Sequence, residues 1–331
     1  MSLAIETKNL TKTYNVGGGK TRDVVDNLNL EVRTGEIFGF LGPNGAGKTT
    51  TIKILLGIIR ATSGEAYVLD KVAGDVEAHR RLSYLPEKPY YYEHMTGLEI
   101  ISFYASLFGI KDIDLCKSLL ERVNLADDMN RPIAQYSRGM QQRIGLAQSL
   151  INDPELLFLD EPTAGLDPIA HIDIRNLILQ FREDGKTVFI SSHELSDIER
   201  ICDRVAIINH GVVIKQGELD ELLAGGRIEI TASGLAQEKA KAMNFPDTIV
   251  SVSGNRVIVD MPDSEDADAA IELMRSAGGK IISVIPRRRR LEDLFLESVG
   301  ASFVKGGAFG RSADAVKEKE ADEDERDEVK A

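Results

Sequence analysis

Short runs of consecutive apolar residues alternate with helically spaced segments over roughly the first 225 residues, the pattern of an α/β domain built on a largely parallel sheet. Glu36–Leu41, Leu156–Leu159, Thr187–Ile190 and Val205–Ile208 are the apolar runs. A short run without polar interruption is expected of a strand covered on both faces. Glu6–Tyr14 and Leu28–Arg33 are expected as two further strands, separated by the turn Gly17-Gly18-Gly19. Thr51–Leu56 reads as the helix that follows the first buried run.

The spacing changes between residues 96 and 152. Thr96-Gly97-Leu98-Glu99 has the form of a capping box and opens an apolar-periodic helix to about Phe108. Leu115, Leu119, Leu120 and Val123 continue helical spacing, and Gly109 and Pro132 punctuate it. A helical subdomain over about residues 88–152 is therefore expected as an insertion in an α/β domain of residues 1–225. From 226 to about 300 the order reads βαββαβ, with helices at Leu235–Met243 and Ser264–Ala277, which predicts a small ferredoxin-like α+β domain. Leu291–Leu296 is amphipathic and is expected to pack back on the body. Residues 301–331 are expected as an acidic tail, dominated beyond about residue 310 by Asp, Glu and Lys. From Arg311 onward there are five basic and nine acidic residues, and such a segment is expected to be disordered.

Composition narrows the function. Apolar residues make up 43% of the 331-residue chain and charged residues 28%, an ordinary globular balance. The formal net charge of −13 argues against a general nucleic-acid binder. Cys116 and Cys202 match no metal-ligand spacing and are expected as inert thiols of a reducing compartment. No run approaches the ~18 apolar residues of a membrane span, and no signal peptide is visible, so a cytoplasmic location is expected.

The chemistry begins at Gly42-Pro43-Asn44-Gly45-Ala46-Gly47-Lys48-Thr49-Thr50, between a predicted strand and a predicted helix. Glycines let backbone N–H groups turn inward, so that these groups and the helix N-terminus face phosphates. Lys48 is expected to reach the β/γ-phosphates, and the Thr49 hydroxyl to bind Mg²⁺. Asp160 and Glu161 end a buried strand; Asp160 is expected to hold Mg²⁺ and Glu161 to polarise the attacking water. Upstream, Ser137 has the character of an N-cap for a helix through Ile151, whose positive end suits an anion.

With these motifs in this order, residues 1 to about 225 resemble the nucleotide-binding subunit of ABC transporters. Gly42–Thr50 matches the Walker A loop and Leu156–Glu161 the Walker B strand. Ser137-Arg138-Gly139 falls at the family signature, Ala164-Gly165-Leu166-Asp167 at the D-loop and Ser192-His193-Glu194 at the switch histidine. The resemblance implies that Tyr14 stacks on adenine, although strand packing explains a tyrosine there equally well by itself. It also implies contacts from Ser137, Gly139 and Asp167 to nucleotide, and from His193 to the γ-phosphate. ATP and Mg²⁺ are the implied ligands. Two copies, or this chain and a paralogous ATPase subunit, would sandwich ATP head to tail, and a separate transmembrane permease would hold the complex on the inner face of the membrane.

Two positions depart from the family pattern. Arg138 and Met140 stand where other residues are common, and the signature alone leaves open whether Arg138 faces the nucleotide or the partner. Glu87 replaces a usual glutamine beside the metal; it either strengthens the hold on Mg²⁺ or pairs with Lys88 at the surface. The run Arg287–Arg290 suits lipid headgroups or nucleic acid, or is a face neutralised by the acids that follow it. The resemblance, with the C-terminal module, implies the ATPase of a two-component exporter. The alternatives are an importer ATPase, a soluble ATPase of ribosomes or DNA, and a regulator without turnover.

Overall fold

The computed structural model describes residues 2–224, 226–235, 248–254, 256–262, 266–287 and 290–305. The helix expected at Leu235–Met243 falls almost wholly outside these residues, as do Arg288, Arg289 and the acidic tail from residue 306.

Two sheets, not one, carry the first part of the chain. The first is antiparallel. Strands β1 (Leu3–Asn15) and β2 (Thr21–Arg33) form a long hairpin, and β4 (Ser63–Val68) and β5 (Lys71–Val72) extend it in the order β2-β1-β4-β5. Gly17, Gly18 and Gly19 all have positive φ, which lets the hairpin reverse at the expected turn. The second sheet joins β3 (Ile37–Leu41), β6 (Leu82–Leu85), β7 (Leu156–Asp160), β8 (Thr187–Ser192), β9 (Arg204–Asn209) and β10 (Val212–Glu218), in the order β10-β9-β3-β8-β7-β6. All its pairs are parallel except β9 with the edge strand β10. The largely parallel sheet expected from the pattern is thus this second one alone. The alternating burial along β2, and the exposed residues scattered along β1, mark a sheet that covers a core with one face only.

Alternation within the buried strands feeds two cores. Phe38, Phe40, Phe158 and Phe189 pack on one face, toward the antiparallel sheet and helix α1 (Lys48–Leu55). The Phe189 ring lies 5.4 to 5.8 Å from the other three. Ile37, Leu41, Leu157, Leu159, Val188 and Ile190 point the other way, into a core shared with the helices. After the short helix α2 (Val76–His79), those helices are α3 (Gly97–Leu107), α4 (Ile113–Arg122), α5 (Arg138–Ser149), α6 (Pro168–Glu183) and α7 (Leu195–Ile201). The capping box expected at Thr96 and Glu99 is present in both directions. Both cysteines are free and buried.

Beyond the short helix α8 (Leu219–Leu222), strands β11 (Arg227–Ser233), β12 (Ile249–Ser253), β13 (Arg256–Pro262) and β14 (Lys280–Arg287) form a separate antiparallel sheet in the order β12-β13-β11-β14. With helix α9 (Asp266–Ser276) between β13 and β14, this is the strand order of a ferredoxin-like module, around its own small core of Ile230, Val257, Val259, Met261 and Met274. The final helix α10 (Leu291–Lys305) opens with Leu291, Leu294 and Phe295 packed on the main core. The Leu291 amide donates to Glu199 Oε2 at 3.1 Å, as expected of a stretch that folds back. Residues 296–305 continue this helix, so the first five residues of the segment expected to be disordered from 301 are helical.

The parallel sheet decides where chemistry can sit. β3, β6, β7 and β8 run in one direction, with β3, β8, β7 and β6 adjacent in that order. Their C-terminal ends deliver Gly42, Pro86-Glu87, Glu161 and His193 to one edge. In open α/β sheets that edge is where ligands bind.

Candidate active site

β3 ends at Leu41 and α1 begins at Lys48, so six residues reverse the chain. Gly42 and Gly47 are required there by contact. A Cβ at Gly42 would stand 2.5 Å from the Ile208 carbonyl oxygen, and one at Gly47 2.5 Å from that of Val24. Gly47 also holds φ at +113° and leaves α1 without a side-chain cap, so the first N–H groups of the helix are free for an anion. Lys48 folds back over this loop. Its Nζ donates to the Gly42 carbonyl at 2.7 Å and lies 3.2 Å from Glu161 Oε1, with both side chains buried.

β7 is buried along its whole length and ends in Asp160, which is 2% exposed. Asp160 accepts hydrogen bonds from Ser191 Oγ, Thr49 and Tyr84. Burial pushes its carboxyl upward, and no cation among the described residues offsets this. Burial, reinforced by Asp160, pushes the Tyr84 hydroxyl up to about 12. A buried carboxylate that lacks a counter-cation and sits beside a hydroxyl suits a hard divalent cation. Among the described residues no group of three or more His, Cys, Asp or Glu is placed to hold a metal. A cation here would therefore depend on hydroxyl, water and phosphate oxygens as well, the habit of Mg²⁺.

Glu161 has φ +51°, which is rare for a residue with a side chain and turns it out of the strand. Its amide donates to the Ser191 carbonyl at 3.0 Å. Its carboxylate lies between Lys48 and His193, with Oε2 2.6 Å from His193 Nδ1 and 3.2 Å from the His193 amide. A cleft of about 250 Å³ opens above, lined by residues of the 43–50 loop together with Val24, Glu87, Glu161, Ala164 and His193. Asp160, buried one residue before Glu161, does not line it. The Glu87 carboxylate is 3.7 Å from Lys88 Nζ, so the surface pairing and the cleft position occur together.

Seven expected residues do not line this cleft: Gly42 and Ala46 belong to the loop but not to its lining, Asp160 is buried, and four others stand elsewhere. Tyr14 lies on β1 opposite Arg22, 40% exposed, with Lys12 Nζ 5.0 Å from its ring. Ser137 caps α5 by accepting from the Met140 amide at 3.2 Å, and Gly139 follows in the first turn. Asp167 caps α6, accepting from the Ala170 and Ile169 amides, and those donors hold its carboxyl below the usual range. Ala164, expected only as part of the D-loop, lines the cleft, and Ser191, Tyr84 and Val24 join the site unannounced. Of these three only Ser191 had a signal, two residues before His193 at the end of an apolar run.

A phosphate loop, a strand-ending carboxylate pair and a histidine on adjacent parallel strands define a P-loop nucleotide-binding protein. Residues 25–164 match the family model for ABC transporters. An uncharacterized ABC transporter ATP-binding protein of Synechocystis is 38% identical over 303 residues, covering 89% of this chain and 84% of that one. The bacitracin transport ATP-binding protein BcrA of Bacillus licheniformis is 35% identical over 316 residues, covering 94% of this chain and all of BcrA. The solved structure of the cassette MJ0796 as a post-hydrolysis dimer bound to ADP and Pi aligns with a TM-score of 0.59 at 26% identity, over 65% of this chain and 98% of that one. The chain belongs to the ATP-binding proteins of ABC transporters, and it is an ATPase of that family. Among the described residues no helix is long and apolar enough to cross a membrane.

Proposed function

We propose that this chain binds and hydrolyses ATP to power a separate membrane-spanning permease, in the direction of export. The observation that carries this reading is that Lys48 and Thr49 at the start of α1 come together with Asp160, Glu161 and His193 at the ends of the adjacent parallel strands β7 and β8. A relative named for fluoroquinolone export supports the direction, and relatives named for bacitracin transport and lantibiotic transport support the transport role. The chain acts as a dimer with a second copy or a paralogous ATPase. Ser137 and Gly139 stand outside the cleft of their own chain, and a partner's cleft is where they would meet nucleotide.

In this reading Lys48 leaves Glu161 for the β/γ-phosphates, and the N–H groups of the 42–49 loop surround them. Glu161 then accepts a proton from water as the water oxygen bonds to the γ-phosphorus. The bridging bond to the β-phosphate breaks, leaving ADP and phosphate. His193 holds the Glu161 carboxylate through Nδ1–H; to donate to the γ-phosphate through Nε2 as well, its ring must carry both protons. Thr49, Asp160 and, at the cleft edge, Glu87 would hold Mg²⁺, which supplies positive charge to the phosphate oxygens when bound. Tyr14 is exposed enough to take an adenine ring.

The permease docks at the tyrosine segment before α3. Tyr90 and Tyr92 are 89% and 53% exposed, and Phe103 lies edge-on to Tyr92. Tyr91 is instead held inside, its hydroxyl on the Gln141 carbonyl. Solubilised membranes carrying the tagged full-length chain are expected to yield a polytopic protein that co-purifies and stimulates ATP turnover. A chain recovered without any such partner would contradict the transport role.

Replacing Glu87 by glutamine removes a formal charge near the proposed metal. The Mg²⁺ concentration for half-maximal turnover is expected to rise about two- to fivefold, the scale of a partly exposed charge interaction. An unchanged Mg²⁺ titration would assign Glu87 to its surface pair with Lys88 alone.

A further inference from the structure

Arg138, the residue that departs from the common signature, is the first residue of α5, next to its cap Ser137. A cation at the positive end of a helix is not stabilised by the helix itself. Its guanidinium instead lies against Gly165, in the loop between Glu161 and α6. Were Gly165 given a Cβ, that atom would stand 2.7 Å from Arg138 Cζ and 3.0 Å from Nη2, so the guanidinium fills the space a side chain would need. Gly165 also has φ +68°, which favours glycine independently. A second contact lies one residue on: a Cβ at Gly139 would stand 2.9 Å from Ala170 Cβ, so the first turns of α5 and α6 touch. The Ala170 amide is in turn a donor to the cap Asp167.

The loop beneath Arg138 is stiffened by its own turns. The Ala164 amide donates to the Glu161 carbonyl at 3.1 Å, and the Leu166 amide to that of Thr163 at 3.3 Å. Ala164 and Glu161 both line the cleft. A displacement of Gly165 is thus carried to the residue proposed to receive the proton from water.

We propose that Arg138 is a positioning residue that ties the Ser137 end of α5 to the 161–167 loop, and so couples the two ATP sites of the dimer. Nucleotide held against Ser137 belongs to the partner's cleft, whereas Glu161 serves the chain's own. Arg138 is the side chain that spans the two within one molecule. This inference rests on the two-site reading given above.

The test is ATP hydrolysis by the full-length chain as a function of ATP concentration. The parent is expected to show a Hill coefficient between about 1.5 and the limit of two set by two sites. Arg138→Ala is expected to bring it to about 1 and to lower kcat about five- to twentyfold, with half-saturating ATP changed less than about twofold. Arg138→Lys is expected not to restore coupling, because an ammonium on a flexible stem does not fill the space of a planar guanidinium. Gly165→Ala, which pushes the guanidinium off the loop and also bears the cost of its positive φ, is expected to lower kcat by a larger factor in the parent than in Arg138→Ala. An unchanged Hill coefficient in Arg138→Ala, a full rescue by lysine, or losses that multiply in the double variant would each overturn the proposal. A parent with a Hill coefficient of about 1 and no ATP-dependent dimer would remove the two-site reading, and this inference with it.

Discussion

Replacing Glu161 by glutamine is expected to lower ATP turnover by about 10²- to 10⁴-fold, the range of a positioned general base. The same change is expected to tighten ATP binding. Glu161 Oε1 now holds Lys48 Nζ at 3.2 Å, in a pair less than a tenth exposed, and that contact competes with the phosphates for the lysine. Glutamine has the same shape but no charge, so it holds the ammonium less firmly and leaves it available. His193 Nδ1–H still finds an acceptor in the amide oxygen, so the local geometry should persist. Phosphate release measures the first effect, and equilibrium binding of a fluorescent ATP analogue the second. Size-exclusion chromatography with ATP should also show a longer-lived dimer. A Glu161→Gln chain that hydrolyses ATP at the parent rate would remove Glu161 from the chemistry, and a chain that never turned over ATP in either form would be a passive binder.

Lys48→Ala is the second large effect. Lys48 is the cation most deeply placed in the cleft, with its ammonium donating to the Gly42 carbonyl. Hydrogen bonds from a charged donor contribute about 1.5–3 kcal/mol, so ATP affinity is expected to fall about 10- to 150-fold. Turnover at saturating ATP should fall further, by about 10²–10³-fold, because the developing phosphate charge loses a preorganised donor. Alanine also leaves the buried Glu161 carboxylate with His193 as its remaining partner, which lowers stability of the nucleotide-free chain. A thermal melt run beside the binding assay separates that loss from the loss of affinity. Undiminished binding and cleavage by the alanine variant would sink the motor reading.

The parts of the site that the sequence made legible are local. Gly42–Thr50 is readable because a phosphate loop needs glycines at set offsets from the lysine, and the clashes facing a Cβ at Gly42 and Gly47 are the tertiary form of that demand. Thr96 and Ser137 are readable as caps because capping links residues only three apart. Asp160 and Glu161 are readable because they end an unbroken apolar run. The antiparallel sheet was not legible as a separate layer. Ser63–Val68 contributes two buried side chains among six residues, and its pairing with β1 is set by long-range register rather than by its own pattern.

The sequence by itself therefore determined the buried strands, the helix caps and the phosphate loop, because each depends on residues close together along the chain. Only the tertiary structure decided that Ser191 and Tyr84 bond Asp160, that Lys48 pairs with Glu161, and that Arg138 covers Gly165. Those contacts join residues far apart in sequence. They arise from the order in which parallel strands line up and from the packing of α5 beside α6, and no periodicity or spacing within a single segment encodes either.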